Sequence, residues 1–209
     1  NQTKGKGQLG SVWVAESGKN LTFSVFLDTS FLVVEHQFYL NCAVVLSVHN
    51  VLKNLHVPDL KIKWPNDILS ANEKLCGVLI ENIIKSDTSS HSIIGIGLNV
   101  NQQKFDHNFK ATSLKNITGV HYDLDELMSL IVDELKHQVN RLRAKEFEAI
   151  YKDYDKALFR KNKPSTFKNA DGHMFVGFIK GVTSFGKLQV LLEDEIIAEY
   201  GLKEVKLLY

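Results

Sequence analysis

Two cysteines, two methionines, two tryptophans and three prolines are all that this 209-residue chain holds of those types. Cys42 and Cys76 lie in apolar surroundings with no metal-ligand spacing between them, so they read as buried thiols rather than a disulfide framework or a zinc module. That usage points to a reducing compartment, and the expected location is cytoplasmic. Charge of one sign is also missing: 25 Lys+Arg against 24 Asp+Glu leave a formal charge of +1, which gives no whole-chain argument for nucleic acid or an anionic membrane. No apolar run reaches the roughly 18 residues of a membrane span, because Asn41, Ser47, His49 and Asn50 interrupt the best candidate. No signal peptide, internal repeat or low-complexity tract is visible. The eight histidines show no H-E-x-x-H spacing, and neither a Gly-x-Ser-x-Gly elbow nor a Walker G-x-x-x-x-G-K-[ST] loop appears. Zinc hydrolases, serine hydrolases and P-loop nucleotide sites are thereby disfavoured.

The few prolines act as punctuation. From about Leu32, apolar residues recur at Leu40, Val44, Val48, Val51, Leu52 and Leu55 with the spacing of one helix face, and Pro58 closes that segment. Before it, Leu21 to Leu27 alternates like a strand, preceded by a hairpin-type turn at 17–20. After it, the strand Leu60–Ile62 runs into Lys63-Trp64-Pro65-Asn66-Asp67, a rigid turn in which Pro65 fixes its own φ and Asn66 and Asp67 can bond their own backbone. A second polar turn at 70–73 leads to a long strand, Leu75 to Ile84, and a partner strand is expected at 93–100 across a polar turn at 86–92. Residues 102–116 read as irregular. Asp123-x-x-Glu126 has the form of a capping box, with apolar residues at helical spacing from Leu124 to Leu142, and a further helix is expected at about 146–158. Past Pro164 short strands and turns take over. The expected class is α/β or α+β, a mixed β-sheet backed by helices over residues 1–160, followed by a small SH3-like β-barrel over 161–209.

Gly5-x-Gly7-x-x-Gly10 has the spacing of a dinucleotide fingerprint, but strand-like Val12-Trp13-Val14 follows where a helix should begin. Bare glycines do let consecutive N–H groups converge on an anion without side-chain obstruction. Lys63 to Asp67, followed by Lys74-Leu75-Cys76-Gly77, collects two cations, an acid and an amide at the ends of β elements. Taken together with the glycine loop and Trp13, and with Gly95-Ile96-Gly97-Leu98-Asn99-Val100, these motifs resemble the biotin protein ligases. The resemblance is strong over the three motifs and weak after about Tyr151.

That resemblance implies a class II synthetase-like catalytic domain using ATP and biotin as substrates with Mg²⁺. The reaction it implies makes biotinyl-AMP and then transfers biotin to a lysine of a biotin carboxyl carrier protein, from acetyl-CoA carboxylase or another carboxylase. It assigns Lys74 and Asp67 to catalysis, the first contacting biotin carboxylate and phosphate, the second orienting the incoming amine. Gln2, Gly5, Lys6, Gly7, Gln8, Lys74 and Gly77 are assigned to biotin, and Gln8, Trp13, Lys74 and Asn99 to the nucleotide. Taken singly, Lys74 reads as a solvated turn lysine, Asp67 as a turn former and Trp13 as a packed strand residue. Gln8 stands where many relatives carry a phosphate-contacting arginine, no Ser/Thr-Asn motif precedes the loop, and no C-terminal arginine can be placed before the final Lys206-Leu207-Leu208-Tyr209. The abrupt opening before the loop leads to the expectation of upstream residues. Metal ligands are unassigned and a homodimer stays open. Two rival readings stand: a lipoate or octanoate transferase of the same superfamily, and a biotin-sensing regulator. DNA binding is disfavoured for want of a helix-turn-helix or basic excess.

Overall fold

The computed structural model describes residues 5–10, 12–86, 89–106 and 110–209. Strands β1 (Gly5–Lys6) and β2 (Val12–Trp13) form a short antiparallel hairpin joined through a 3₁₀ turn at Gln8–Gly10. β3 (Leu21–Asp28) turns Phe23, Val25 and Leu27 toward the core and Thr22 and Ser24 away from it. The helix expected from Leu32 starts five residues later. Asp28 accepts the Ser30 N–H at 2.9 Å, Leu32 N–H bonds the Thr29 carbonyl, and a 3₁₀ turn at Val34–His36 intervenes before α1 (Gln37–Asn54).

α1 buries more than the single face the spacing predicts. Leu40, Val44, Val48 and Leu52 are fully buried, and so are Cys42, Ala43 and Val45, because α1 lies between the sheet on one side and the later helices on the other. A helix covered from two sides is apolar nearly all round, so its periodicity is blunted.

β4 (Leu60–Lys63) and β5 (Asp67–Ser70) form a hairpin whose turn is Trp64-Pro65-Asn66, with Lys63 opposite Asp67 and the Trp64–Pro65 peptide cis. Ala71 and Asn72, both at positive φ, make the two-residue turn into β6 (Glu73–Ser86), as right-handed strand twist favours. β7 (Ser89–Leu98) returns along β6 and β3, giving the order β3-β7-β6-β5-β4. The strands reach into the segment expected as a turn at 86–92, since Ser92 bonds Asn82 at 2.7 Å and the buried Thr29 and Ser90 hydroxyls meet at 3.2 Å. Every pairing within this sheet is antiparallel; the mixed character rests on isolated parallel bridges, Lys74 with Ala111 and Ile62 with Leu158.

Within the stretch expected to be irregular, Leu114–Thr118 is a short helix, α2, opened by a Ser113 side-chain cap and closed by left-handed Gly119. Five residues are too few to show a period, though a serine before and a glycine after are the terminal signals such a turn leaves. α3 (Leu124–Arg143) is capped by Asp123, which accepts the Asp125 and Glu126 N–H groups, and packs Leu127, Ile131, Leu135 and Leu142 inward against α1. α4 (Phe147–Lys156) follows, tied to α3 by Arg141, which reaches both Glu146 and Asp153. Left-handed Arg160 and Asn162 turn the chain into a second antiparallel sheet of β8 (Pro164–Asn169), β9 (Met174–Val182), β10 (Leu188–Leu191), β11 (Ile197–Tyr200) and β12 (Val205–Leu208). Its order is β11-β10-β9-β8-β12, around Phe167, Ile179 and Val190. No pairing among the described residues joins β11 to β12, so the ladder of this barrel-sized sheet is open.

Candidate active site

One face of the first sheet carries α1; the opposite face floors a cleft of about 860 Å³. Alternation puts Gly77, Leu79 and Glu81 of β6, Ile93, Gly95 and Gly97 of β7, and Thr22 and Ser24 of β3 on that floor. The β1–β2 hairpin forms the roof with Lys6, Gly7, Gln8 and Trp13, the 63–67 turn closes one end, and Leu202 and Lys203 of the turn before β12, with Val205, Lys206 and Leu207 of β12, supply a side wall.

The glycines of the floor have a steric reason. Gly77 and Gly97 are cross-strand partners, and the Trp13 indole lies on both: a Cβ on Gly97 would sit 2.6 Å from its Cε2, and one on Gly77 would sit 3.3 Å from its Cζ3. Gly5 is equally constrained, since a Cβ there would come within 2.2 Å of the Trp13 carbonyl oxygen. Gly95 is different, with nothing nearer than 3.6 Å. The indole N–H is buried and makes no hydrogen bond among the described residues.

Lys74 reaches this floor through an irregularity that hydropathy alternation hides. Leu69 pairs with Lys74 but Ile68 pairs with Cys76, so Leu75 is an extra residue on β6, a β-bulge. Leu75 and Cys76 are both buried, while Lys74 and Gly77 share the cleft side; a Cβ on Gly77 would lie 3.1 Å from Lys74 Nζ. The Lys74 ammonium is 2.7 Å from Asp67 Oδ1 and 5.6 Å from the centre of the Trp13 ring. Its backbone is clamped as well: Lys74 N–H donates to the Lys110 carbonyl at 2.8 Å and Thr112 N–H donates to the Lys74 carbonyl at 3.0 Å.

The turn bearing Asp67 is held from below. Asn41 of α1 and the Tyr154 hydroxyl of α4 both donate to the Pro65 carbonyl at 2.9 Å, and the Trp64 indole N–H donates to the Gly186 carbonyl of the second sheet at 2.9 Å. Asn66 does not bond its own turn backbone as the sequence led us to expect. Its side-chain amide donates to the Val78 carbonyl, tying the turn to β6.

Of the residues assigned from sequence, Lys6, Gly7, Gln8, Trp13, Asp67, Lys74 and Gly77 therefore share one cleft. Gly5 stands behind Trp13, and Gln2 lies outside the described residues. Asn99 is placed differently: it is buried away from the cleft lining, and its side-chain amide donates to the Thr112 carbonyl at 3.0 Å. Residues that sequence reasoning did not single out are Leu202, Lys203, Lys206 and Leu207, because nothing local marks a second sheet as wall to the first. Cys76, behind Lys74, is fully buried and its thiol is pushed far above the ordinary range by desolvation, so it is no nucleophile. Among the described residues no group of three or more His, Cys, Asp or Glu could hold a metal ion, and no helix is long and apolar enough to cross a membrane.

Residues 1–99 match the Biotin/lipoate A/B protein ligase family. Over 99% of its length the chain is 24% identical to the bifunctional ligase/repressor BirA of Escherichia coli (strain K12), covering 64% of that protein. It is 30% identical over 146 residues to the biotin--[acetyl-CoA-carboxylase] ligase of Mycobacterium tuberculosis, which spans 68% of this chain and 53% of that one. Among solved structures, the biotin protein ligase from Aquifex aeolicus in complex with biotin and ATP superposes with a TM-score of 0.82 at 27% identity, over 99% of this chain and 85% of that one. The chain thus spans less than two thirds of the length of these two curated relatives. The fold is the one seen in the Aquifex ligase, and the match to the Biotin/lipoate A/B protein ligase family takes in the hairpin, Asp67 and Lys74. Within that likeness, the relatives and solved structures named above are biotin ligases, similar to this chain at 24–30% identity.

Proposed function

We propose that the cleft activates biotin with ATP and then passes the biotinyl group to a lysine of a biotin carboxyl carrier protein. The observation that carries this reading is the convergence of the glycine hairpin, Trp13, Asp67 and Lys74 on one cavity, whose volume falls in the range of small-molecule sites. In the first step a biotin carboxylate oxygen attacks the α-phosphorus and the bond to pyrophosphate breaks. Both reactants are anions, so a fixed cation is the minimum requirement, and Lys74, clamped through its backbone and aimed by the bulge, supplies it. In the second step the carrier amine attacks the acyl carbon, AMP departs, and the amine's proton is lost beside Asp67, which orients the incoming nitrogen. The hairpin roof keeps water from the mixed anhydride.

Among the described residues magnesium finds no cage of protein carboxylates: Asp67 is engaged by Lys74, and the other acid lining the cleft is Glu81. The ion would arrive on the nucleotide's phosphates with its own waters, and no step is derived through it. The reaction is placed in the cytoplasm, where ATP and carrier meet. Incubation with biotin, Mg-ATP and a carrier domain is expected to add one biotinyl group to the carrier by mass, with calorimetry showing binding of biotin and not lipoate. Lipoyl transfer under the same conditions would overturn the choice of acid, and no adduct with either would overturn the reading.

A further inference from the structure

The turn Trp64-Pro65-Asn66 is anchored more heavily than closing a hairpin requires, and each anchor comes from a different part of the molecule. The Trp64 indole N–H goes to the Gly186 carbonyl of the second sheet at 2.9 Å. Asn66 is tied twice to Val78 of β6, its side-chain amide donating to the Val78 carbonyl and its own carbonyl accepting the Val78 N–H at 3.1 Å. Pro65 has no N–H, so its carbonyl is its one backbone hydrogen-bonding group. Two donors occupy it, as many as its lone pairs allow: the Asn41 amide from α1 and the Tyr154 hydroxyl from α4, each at 2.9 Å.

Both donors are held by the helix layer on the far side of the sheet. Asn41 is half-buried and Tyr154 fully buried. Desolvation first, and then Cys42, Tyr151 and Asp155, keep the Tyr154 phenol well above its ordinary pKa, so the hydroxyl stays a donor. Its ring meets Phe38 of α1 edge-on at 5.6 Å, and the same Phe38 backs Gly186, where a Cβ would lie 2.7 Å from Cδ2. One ring thus fixes a donor to Pro65 and the acceptor for Trp64. What this anchoring serves is the next residue. Asp67 sits opposite Gly77 of the cleft floor, with Oδ1 2.7 Å from the Lys74 ammonium. Lys74 is clamped separately, through its own backbone bonds to Lys110 and Thr112, so a shift of the turn moves the carboxylate and leaves the lysine backbone in place.

We propose that Asn41 and Tyr154 are positioning residues for the transfer step: by filling the Pro65 carbonyl from the helix layer, they set where Asp67 presents its carboxylate to the incoming carrier amine. This rests on the function proposed above and gives the two helices, which touch no substrate, a part in the second half-reaction. In that step the ε-nitrogen bonds to the acyl carbon, the bond to the AMP oxygen breaks, and the nitrogen's proton leaves beside Asp67 for solvent. Orientation of the nitrogen is what a misplaced carboxylate would lose.

The test compares Tyr154→Phe, Asn41→Ala and the control Tyr151→Phe with wild type in transfer from supplied biotinyl-AMP to a carrier domain. Tyr151→Phe removes a hydroxyl from the same helix, one bonded to Val182 and not to the turn. Tyr154→Phe keeps the buried ring, and Asn41 gives a second route from another helix. Each of these two is expected to lower kcat about tenfold, short of the roughly hundredfold that a misplacement on the order of 1 Å costs, with carrier KM and biotin affinity within about twofold of wild type. Tyr151→Phe should leave kcat within about twofold. In an Asp67→Asn background Tyr154→Phe should slow transfer no further, because it acts through that carboxylate. Positioning itself is read without substrate: the Asp67 carboxyl ¹³C signal, assigned by its loss in Asp67→Asn, should shift in Tyr154→Phe and Asn41→Ala and hold in Tyr151→Phe. The inference is overturned if that signal holds in both variants, if the Asp67→Asn and Tyr154→Phe losses multiply in full, or if Tyr151→Phe slows transfer as much. A wild type that transfers nothing would strike at the proposed function, while the ¹³C signal still decides whether the helices place Asp67.

Discussion

Replacing Gly97 by alanine separates the two things a floor glycine can do. The added methyl would lie 2.6 Å from Trp13 Cε2 and 2.9 Å from Cζ2, where ordinary van der Waals contact begins at 3.4 Å. An indole is rigid, so it must lift; the strand beneath is paired on both sides and cannot. Overpacking usually costs about 1–3 kcal/mol, and removing a strand glycine returns about 0.5–1 kcal/mol. The roof carries exposed Val12 and Val14 and can yield, so the melting midpoint is expected to move little. Catalysis should suffer more, because a misplacement on the order of 1 Å costs about a hundredfold. Gly95→Ala is the matched control: its methyl meets nothing nearer than 3.6 Å, so it leaves Trp13 in place and acts, if at all, through ligand lying on the floor. In a Trp64→Phe background, indole emission without ligand should change in Gly97→Ala and not in Gly95→Ala, with biotin-dependent pyrophosphate exchange falling about a hundredfold in the former. Unchanged emission and exchange in Gly97→Ala would refute the argument that Trp13 rests on this glycine.

Asn99→Ala should lower stability by roughly 1–3 kcal/mol in chemical denaturation, the cost of leaving buried backbone acceptors unmet, and leave discrimination of ATP from GTP unaltered; lost discrimination would return Asn99 to the nucleotide. His49 carries a buried Nδ1 with no hydrogen bond among the described residues, and burial, then Lys53 and Lys61, depress its pKa below 6.5 against a side-chain hydrogen bond with Asn50. The unfolded chain therefore binds that proton more readily than the folded one, so stability present above pH 6.5 is lost as pH falls through the unfolded value toward the folded one. His49→Gln should flatten the pH dependence of the melting midpoint over that window, and an unchanged slope would show that other groups carry it.

Much of this fold shows in the sequence because its signals are local. The β-branched run at 21–27, the Asp123 cap and the proline at 65 each act within a few residues. The 63–67 cluster and Lys74 are likewise legible as charge placed on turns. What escaped is set by distance or by broken period. The Leu75 bulge defeats alternation, so nothing in Lys74-Leu75-Cys76-Gly77 tells which residues share a face. Gly97 looks free to admit a ligand until the Trp13 ring, far away in sequence, is found upon it. Asn99 ends a motif yet turns its amide to the 110–113 segment. Lys206 sits in a strand whose local pattern concerns its own sheet, and only the packing of one sheet against the other brings it to the cleft.

The central claim is that Lys74 supplies the charge on which acyl-adenylate formation depends. Release of pyrophosphate from ATP in the presence of biotin, measured for Lys74→Gln beside wild type, tests it most directly. Removing one such stabilising group should slow release about 10²–10³-fold, while loss of the partly exposed pair with Asp67 costs the fold no more than about 1 kcal/mol. A folded Lys74→Gln that releases pyrophosphate at the wild-type rate would contradict the account.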